Sequence, residues 1–150
     1  MAIYFLDSSA LVKRYVEEQG TGRVLELLAS PHRIAVSRLA MVEVTSAVTR
    51  RAHGFEVSPD QVAPIFDALD FEFRERFEVE ELGKSVLSRA AELARTRALR
   101  TLDAIQLACA LSSREGTPNA SEFVFVCADT LLNAAARAEN LSVMNPCGEG

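Results

Sequence analysis

Four acidic residues spread along the chain are the side chains most able to do chemistry: Asp7, Glu43, Asp103 and Asp129. Three of them have an ordinary structural explanation when each is taken alone. Asp7 and Asp129 precede predicted helices that they can cap, and Asp103 falls in the first turn of another helix, where an anion complements the helix dipole. For any one of these three residues, the structural role is therefore the favoured interpretation.

Glu43 has no such explanation. It lies inside a predicted helix, at the margin of an apolar face, and no cation stands three or four residues away on either side. Those positions are occupied by Leu39, Ala40, Ser46 and Ala47, so the usual surface ion pair is not available. A partly buried carboxylate without a local partner needs one from elsewhere in the fold.

A shared cation would give the four acids a common purpose. If the fold brings them to one end of a sheet, their mutual repulsion raises some of their pKa values unless a cation lies between them. Oxygen-only ligation favours Mg²⁺ or Mn²⁺ as the cofactor. Such an ion also activates water, which matters because His32 and His53 are the only histidines and no Ser-His-Asp triad is apparent.

Short apolar runs that alternate with amphipathic stretches predict the scaffold around these acids. Strands are expected at 2–6, 33–36, 77–80, 123–126 and 141–144, and helices at 8–20, 21–29, 37–53, 59–73, 84–98, 101–116 and 130–140. The helix limits rest on Gly20 and Gly54 as C-terminal stops, on Ser37 and Thr101 as N-caps, and on Pro59 at a first helical position. This alternation indicates an α/β fold with a mostly parallel sheet, in which ligands gather outside the carboxyl ends of the strands.

Composition is that of an ordinary single domain. The 150 residues carry 16 Lys+Arg against 21 Asp+Glu, a formal charge of −5, and 49% of them are hydrophobic. One domain is expected over residues 1–150, because no repeat, low-complexity tract or long linker divides the chain. With 7 Gly and 5 Pro, a disordered or collagen-like chain is excluded, and the acidic balance argues against a generic polyanion binder.

The apolar segments and the cysteines favour a cytoplasmic protein. The N-terminal apolar run has no cationic lead, and no window approaches 18 uninterrupted apolar residues, so we expect neither a signal peptide nor a membrane span. Cys109, Cys127 and Cys147 are odd in number and widely spaced, which fits a reducing compartment and no C-x-x-C ligand pair.

Several segments stand in the order and spacing of a known family. They are IYFLDSSALV at 3–12, the helical Glu43, LDAIQLA at 102–108, and VCAD at 126–129 followed by LSVMNP at 141–146. Together they resemble a PIN domain, and most closely the VapC-type toxins of bacterial and archaeal toxin–antitoxin pairs. The resemblance covers essentially the whole chain and implies a three-layer α/β/α fold around a mostly parallel sheet of about five short strands.

The resemblance also implies roles for individual residues. Asp7, Glu43, Asp103 and Asp129 correspond to the catalytic, metal-binding acidic quartet, and Ser9 to the small polar residue that supports it beside Asp7. Family members are metal-dependent endoribonucleases that commonly cut transfer or ribosomal RNA. They form dimers and are silenced by a small antitoxin that lies across the site.

Two positions depart from the family pattern. Cys127 stands where the family often has Thr or Ser, two residues before the last acid. Thr130, Leu131 and Leu132 stand where some relatives carry a further acid. Both departures concern a second metal position and leave the four carboxylates intact.

An acidic protein that cuts RNA needs cations beside its site, and arginine suits bidentate contacts to phosphate. The chain has 14 Arg but only 2 Lys. The RNA-binding candidates close to the acids in sequence are Lys13, Arg14, Arg50, Arg97 and Arg100. The alternative is that these residues lie on solvated helix faces and pair with acids such as Glu18 and Glu92.

A group of aromatic residues follows Pro59, namely Phe66, Phe71, Phe73 and Phe77. These rings are able to stack on bases. Aromatic residues at helical spacing are more typical of a core or an interface. A dimer interface or a contact with the antitoxin is the favoured interpretation.

The leading hypothesis is a Mg²⁺- or Mn²⁺-dependent endoribonuclease, the toxin of a toxin–antitoxin pair, that hydrolyses RNA phosphodiesters with metal-activated water. Its expected partners are transfer or ribosomal RNA, a small cognate antitoxin and a second copy of the chain, with no membrane. The alternative is a catalytically inactive PIN-like module that binds RNA or protein, against which the presence of all four acids counts. A phosphatase with Asp7 as nucleophile is less favoured, because Ser9 stands where such sites usually have a second Asp.

Overall fold

The computed structural model describes residues 1–148, which contain five strands and seven helices. The strands are β1 Ile3–Leu6, β2 Arg33–Ser37, β3 Glu78–Glu80, β4 Phe123–Val126 and β5 Ser142–Met144. The helices are α1 Ser8–Tyr15, α2 Thr21–Ala29, α3 Arg38–His53, α4 Pro59–Glu75, α5 Lys84–Arg97, α6 Thr101–Glu115 and α7 Thr130–Ala138. Within this part of the chain, no helix combines the length and apolarity that crossing a bilayer requires.

The strands form one sheet in the order β3-β2-β1-β4-β5, and every pairing is parallel. Strand β1 is central: Phe5 is level with Ala35 of β2, and Leu6 is level with Val126 of β4. The carboxyl ends of these strands therefore meet at the same edge of the sheet. The predicted α/β class with a central, mostly parallel sheet is confirmed, and the sheet described here is parallel throughout.

Helices cover both faces of the sheet, which makes three layers. Ile3 and Phe5 of β1 pack with α5, α6 and α7, whereas Tyr4 and Leu6 pack with α1 to α4. Successive side chains of a strand point to opposite faces, so a strand buried on both sides has to be apolar at every position. This explains why β1 and β4 are continuous apolar runs without the alternation of a half-exposed strand.

The first helix is shorter than predicted. Helix α1 ends at Tyr15, and Val16 is already extended (φ −131°, ψ 130°), so the prediction that Gly20 stops this helix is wrong. Gly20 instead adopts φ +92° directly before α2, and a Cβ on it would lie 3.0 Å from the carbonyl oxygen of Pro146. The glycine therefore serves a left-handed turn and a close approach between two distant segments.

Two other helix ends also differ in detail. Thr101 is the first helical residue of α6, and the N-cap is Arg100, which is extended (φ −66°, ψ 157°). At the end of α3, Gly54 has φ −86° and the left-handed residue is the exposed Phe55 (φ +61°). Ser37 caps α3 as predicted, since its Oγ accepts a hydrogen bond of 3.1 Å from the amide of Ala40.

Candidate active site

All four acidic residues belong to elements that begin near the carboxyl edge of the sheet. Asp7 directly follows β1 and is the N-cap of α1, and Asp129 follows β4 and is the N-cap of α7. Asp103 lies in the first turn of α6. Glu43 lies in the second turn of α3, which follows β2. The parallel order of β2, β1 and β4 therefore positions three of these four elements side by side.

Asp7 is a buried carboxylate, only 3% exposed. Its Oδ1 accepts hydrogen bonds from the hydroxyl of Ser9 (2.6 Å) and the amide of Ala10 (3.1 Å). Burial nevertheless raises the pKa of Asp7 from 3.8 to about 6, with a smaller contribution from the charge of Glu43, because these hydrogen bonds offset only part of the desolvation. The capping role expected of Asp7 is present, and it coexists with a charge that the fold does not neutralise.

Glu43 finds its partner across the fold, on α6. Its Oε1 accepts a hydrogen bond of 2.8 Å from the side-chain amide of Gln106. Among residues 1–148, no Lys or Arg forms an ion pair with Glu43. The carboxylate is thus held by a neutral group and contributes its charge to the space beside Asp7.

Asp103 and Asp129 form a second pair of acids. Burial raises the pKa of Asp103, the charge of Asp129 raises it further, and the guanidinium of Arg100 opposes both effects. Asp129 is exposed, and its Oδ1 accepts hydrogen bonds from the amides of Leu131 (2.9 Å) and Leu132 (3.1 Å). The predicted cap of α7 is therefore present as well.

Ser9 connects the two turns that carry Asp7 and Asp129. Its hydroxyl donates to Asp7 and accepts a hydrogen bond of 3.0 Å from the amide of Ala128. It also lies 3.7 Å from the thiol of Cys127, whose sulfur accepts from the amide of Asp129 at 3.3 Å. Burial and the nearby charge of Asp7 raise the pKa of the Cys127 thiol far above its usual range, so Cys127 is a neutral thiol in this network.

Two cavities open beside the acids. One of about 400 Å³ lies between α1 and α3 and is lined by Ser9, Glu43, Arg50 and Leu102, among others. The other, of about 470 Å³, lies between α6 and α7 and includes Arg100, Asp103 and Asp129. A larger cavity of about 580 Å³ lies beside β4 and β5 and includes none of the four acids, so size alone does not identify the site.

The acids fit a hard divalent cation in their donor chemistry. All the donors are carboxylate oxygens, and the pKa values of Asp7 and Asp103 are raised by burial and by a neighbouring acid. Both features favour a cation close by. Over residues 1–148, no three Asp, Glu, His or Cys side chains converge on one point, so the arrangement is one of two pairs. Two carboxylates with water as the remaining ligands is a usual way for proteins to hold Mg²⁺.

The five candidate cations differ in how they are engaged. Lys13 is buried and pairs with Glu18 at 2.8 Å, Arg14 contacts Glu72 at 3.4 Å, and Arg97 pairs with Glu139. These three charges are used within the fold, as the ion-pair alternative foresees.

Arg50, Arg97 and Arg100 line the cavities, and of these three only Arg50 and Arg100 form no ion pair among residues 1–148. Arg50 is exposed and donates to the hydroxyl of Ser46 at 2.7 Å, in the cavity that contains Glu43. Arg100 is exposed in the cavity of the second acidic pair. Each pair of acids therefore has beside it one exposed guanidinium that no acid of residues 1–148 engages in an ion pair.

The phenylalanines after Pro59 are mostly part of the core. Phe73 and Phe77 are buried and make an edge-to-face contact at 5.5 Å, and Phe66 packs against the same core while half-buried. Only Phe71 is largely exposed, at 54%. The interface interpretation is therefore wrong for Phe73 and Phe77, whose rings face the interior.

The sequence did not reveal the part that Gln106 plays. Gln106 is 1% exposed and bridges α6 to both Glu43 and Ser37, through bonds that span 63 and 69 residues. The only local signal is an amide within the otherwise apolar stretch AIQLA at 104–108, because a buried amide needs hydrogen-bond partners. Ser37 was expected only as a helix cap.

Known proteins resemble the chain in both sequence and fold. Residues 4–116, which include three of the four acids, match the family described as "PIN domain". Ribonuclease VapC45 and ribonuclease VapC49, from two strains of Mycobacterium tuberculosis, are each 34% identical to it over 113 residues, which is 75% of this chain and 77% of theirs.

Solved structures of the same fold come from toxin–antitoxin systems. VapBC2 from Rickettsia felis, bound to a DNA fragment from its promoter, contains a chain with a TM-score of 0.62 and 20% identity, over 95% of this chain and 98% of that one. A toxin–antitoxin complex from Klebsiella pneumoniae gives a TM-score of 0.63 and 20% identity, over 95% and 97%. At this identity the structures establish the shared fold.

Proposed function

The chain belongs to the PIN domain family, and we propose that it is a VapC-type endoribonuclease, the toxin of a toxin–antitoxin pair, dependent on Mg²⁺ or Mn²⁺. The single observation that carries the proposal is the pairing of Asp7 with Glu43 and of Asp103 with Asp129, with Glu43 lining one cavity and Asp103 and Asp129 lining another. The names of the similar Mycobacterium tuberculosis proteins support the activity. Transfer or ribosomal RNA is the proposed substrate class.

The two pairs of carboxylates are proposed to hold the divalent cation on which cleavage depends. A bound divalent ion lowers the pKa of a water molecule and offsets the charge of the phosphodiester. Ser9 keeps Asp7 ionisable and oriented by donating to its Oδ1, and the same hydroxyl links the turn of Asp7 to that of Asp129. The contribution of the chain is thus a fixed set of negative oxygens at the edge of the sheet.

Arg50 and Arg100 are proposed to bind the phosphates that flank the cleaved bond. Both are exposed at the cavities, and a guanidinium matches the geometry of a phosphate oxygen pair. One cation on each side of the acids offsets a repulsion that the net charge of −5 would otherwise impose on RNA.

Exposed apolar side chains around the same cavities are proposed to contact the antitoxin. Val42 is 65% exposed and Leu102 47% exposed beside Glu43, and Leu131 is 80% exposed beside Asp129. Apolar side chains that border a charged site suit a protein partner that covers it. The solved relatives in toxin–antitoxin complexes support such a partner. We also propose that the protein forms a homodimer and is located in the cytoplasm.

Cleavage of purified total RNA tests the proposal. The protein is incubated with the RNA and Mg²⁺ or Mn²⁺, and samples with EDTA serve as one control. Asp103→Asn is then compared with Asp70→Asn, which makes the same change at an exposed residue of α4 that lines neither cavity. We expect metal-dependent cleavage by the wild type and by Asp70→Asn, and none by Asp103→Asn.

The opposite results distinguish the alternatives. Cleavage by Asp103→Asn at the wild-type rate contradicts the site assignment. No cleavage by the wild type, together with RNA binding that does not depend on metal, favours the inactive binding module.

A further inference from the structure

The buried amide of Gln106 links two helices directly behind the candidate site. Its nitrogen donates to Oε1 of Glu43 at 2.8 Å, and its oxygen accepts from the hydroxyl of Ser37 at 3.1 Å. Gln106 is 1% exposed and Ser37 is fully buried. The link therefore runs from the N-cap of α3 through α6 and back to the carboxylate on α3.

The direction of this link is determined by the chemistry of its ends. An ionised carboxylate only accepts hydrogen bonds, so the amide nitrogen of Gln106 has to face Glu43. The amide oxygen of Gln106 then faces Ser37. The hydroxyl oxygen of Ser37 accepts a hydrogen bond from the amide of Ala40 at 3.1 Å, and its one proton is donated to Gln106. The two bonds together are satisfied by one orientation of the Gln106 amide.

Glu43 depends on this link for its position. It is a half-buried side chain of α3, and Arg50, which lines the same cavity, donates to Ser46. The bond from Gln106 engages Oε1 and leaves Oε2 of Glu43 free of that bond. A neutral donor holds the carboxylate without cancelling its charge, as an arginine would.

We propose that Gln106 is a positioning residue that holds Glu43 toward Asp7 so that the acids can bind a divalent cation. The inference rests on the proposed function, since it gives Gln106 its purpose through the metal. Removing a residue that orients a metal-binding carboxylate by a hydrogen bond typically lowers the metal affinity by about 10- to 100-fold.

The test is calorimetric titration with Mn²⁺ of the wild type and Gln106→Met, which keeps the volume of the side chain but removes both hydrogen bonds. We expect Gln106→Met to bind Mn²⁺ about 10- to 100-fold more weakly. The matched control is Ser113→Ala, which alters another buried polar residue of α6, two turns further along the helix and outside both cavities. It should bind Mn²⁺ as the wild type does.

A second pair of variants separates positioning from general loss of structure. If Gln106 acts through Glu43, adding Gln106→Met to Glu43→Gln should weaken Mn²⁺ binding no further. Ser37→Ala releases the far end of the amide while keeping Gln106, and should lose a smaller part of the affinity. It serves as the test if Gln106→Met does not fold, as judged by its circular dichroism spectrum.

These measurements distinguish an error in the role of Gln106 from an error in the proposed function. If the wild type binds no Mn²⁺, the proposed function fails and the inference fails with it. If the wild type binds Mn²⁺ and a folded Gln106→Met binds it equally well, only the role of Gln106 is overturned. Wild-type affinity in Ser37→Ala, or additive losses in the double variant with Glu43→Gln, contradict the inference in the same way.

Discussion

Replacing Asp7 by Asn should make the metal-free protein more stable at neutral pH while removing its activity. Asn keeps an Oδ1 that can accept from the Ser9 hydroxyl and the Ala10 amide, so the cap of α1 is retained. What the substitution removes is a buried negative charge, 3% exposed, that no cation of residues 1–148 pairs with.

The magnitude follows from the pKa of Asp7, which rises from 3.8 to about 6 on folding. Because the folded protein then binds the proton more tightly than the unfolded chain, stability falls as the pH rises through this window and the loss is complete near pH 7. At about 1.4 kcal/mol per pKa unit, the loss is about 3 kcal/mol. For a chain of this length, that corresponds to roughly 6–12 °C in Tm.

Thermal unfolding in EDTA measures this effect for the wild type and Asp7→Asn at pH 7.5 and at pH 4. We expect the variant to melt higher at pH 7.5 and the difference to shrink strongly at pH 4, where Asp7 of the folded protein is protonated. In separate samples without EDTA, Mn²⁺ should raise the Tm of the wild type and leave the Tm of the variant nearly unchanged. If the variant melts below the wild type at pH 7.5, the buried charge of Asp7 does not destabilise the folded protein.

Three further predictions concern other residues of the site and the thiols. Ser9→Ala removes a donor to a buried carboxylate and should lower the free energy of unfolding by about 1–3 kcal/mol, as measured in urea; an unchanged value would contradict the linking role of its hydroxyl. Arg50→Ala and Arg100→Ala should each weaken RNA binding and reduce the magnitude of the slope of the logarithm of the RNA-binding constant against the logarithm of the salt concentration by about 1. Arg95→Ala, which lies outside both cavities, should change neither. Equal slopes in all three variants would exclude phosphate contacts by Arg50 and Arg100. Iodoacetamide at pH 8 should label the half-exposed Cys147 of the folded protein and spare the two buried cysteines until denaturant is added, as read by mass spectrometry.

Local pattern was sufficient for the scaffold because each element carries its own signal. The apolar run that ends at Leu6, and the one that ends at Val126, are buried on both faces and read as strands without further context. Asp7 and Asp129 follow these strands, so a parallel sheet places them at one edge as expected. The role of Gly20 was not predictable, because its left-handed turn accompanies a close approach to Pro146, which is distant in sequence.

The details of the site depend on contacts that no local pattern contains. The bond of Gln106 to Glu43 joins residues that are 63 positions apart, and that amide could equally have been a core side chain. In the same way, Lys13 was expected beside RNA because it lies near Asp7, but the loop after α1 brings Glu18 to its ammonium. Sequence identifies which residues can do chemistry, whereas their partners follow from the packing of the helices.

The proposed function requires that the four carboxylates, arranged as two pairs, hold a divalent cation for cleaving RNA. This requirement is tested by Mn²⁺ titration calorimetry of the wild type and four variants, with Asp70→Asn as the control. The variants are Asp7→Asn, Glu43→Gln, Asp103→Asn and Asp129→Asn. Each of the four changes should weaken Mn²⁺ binding at least about tenfold while Asp70→Asn binds normally. A wild type that binds no Mn²⁺, or any of the four variants that binds it with wild-type affinity, would show that these carboxylates do not hold the metal together.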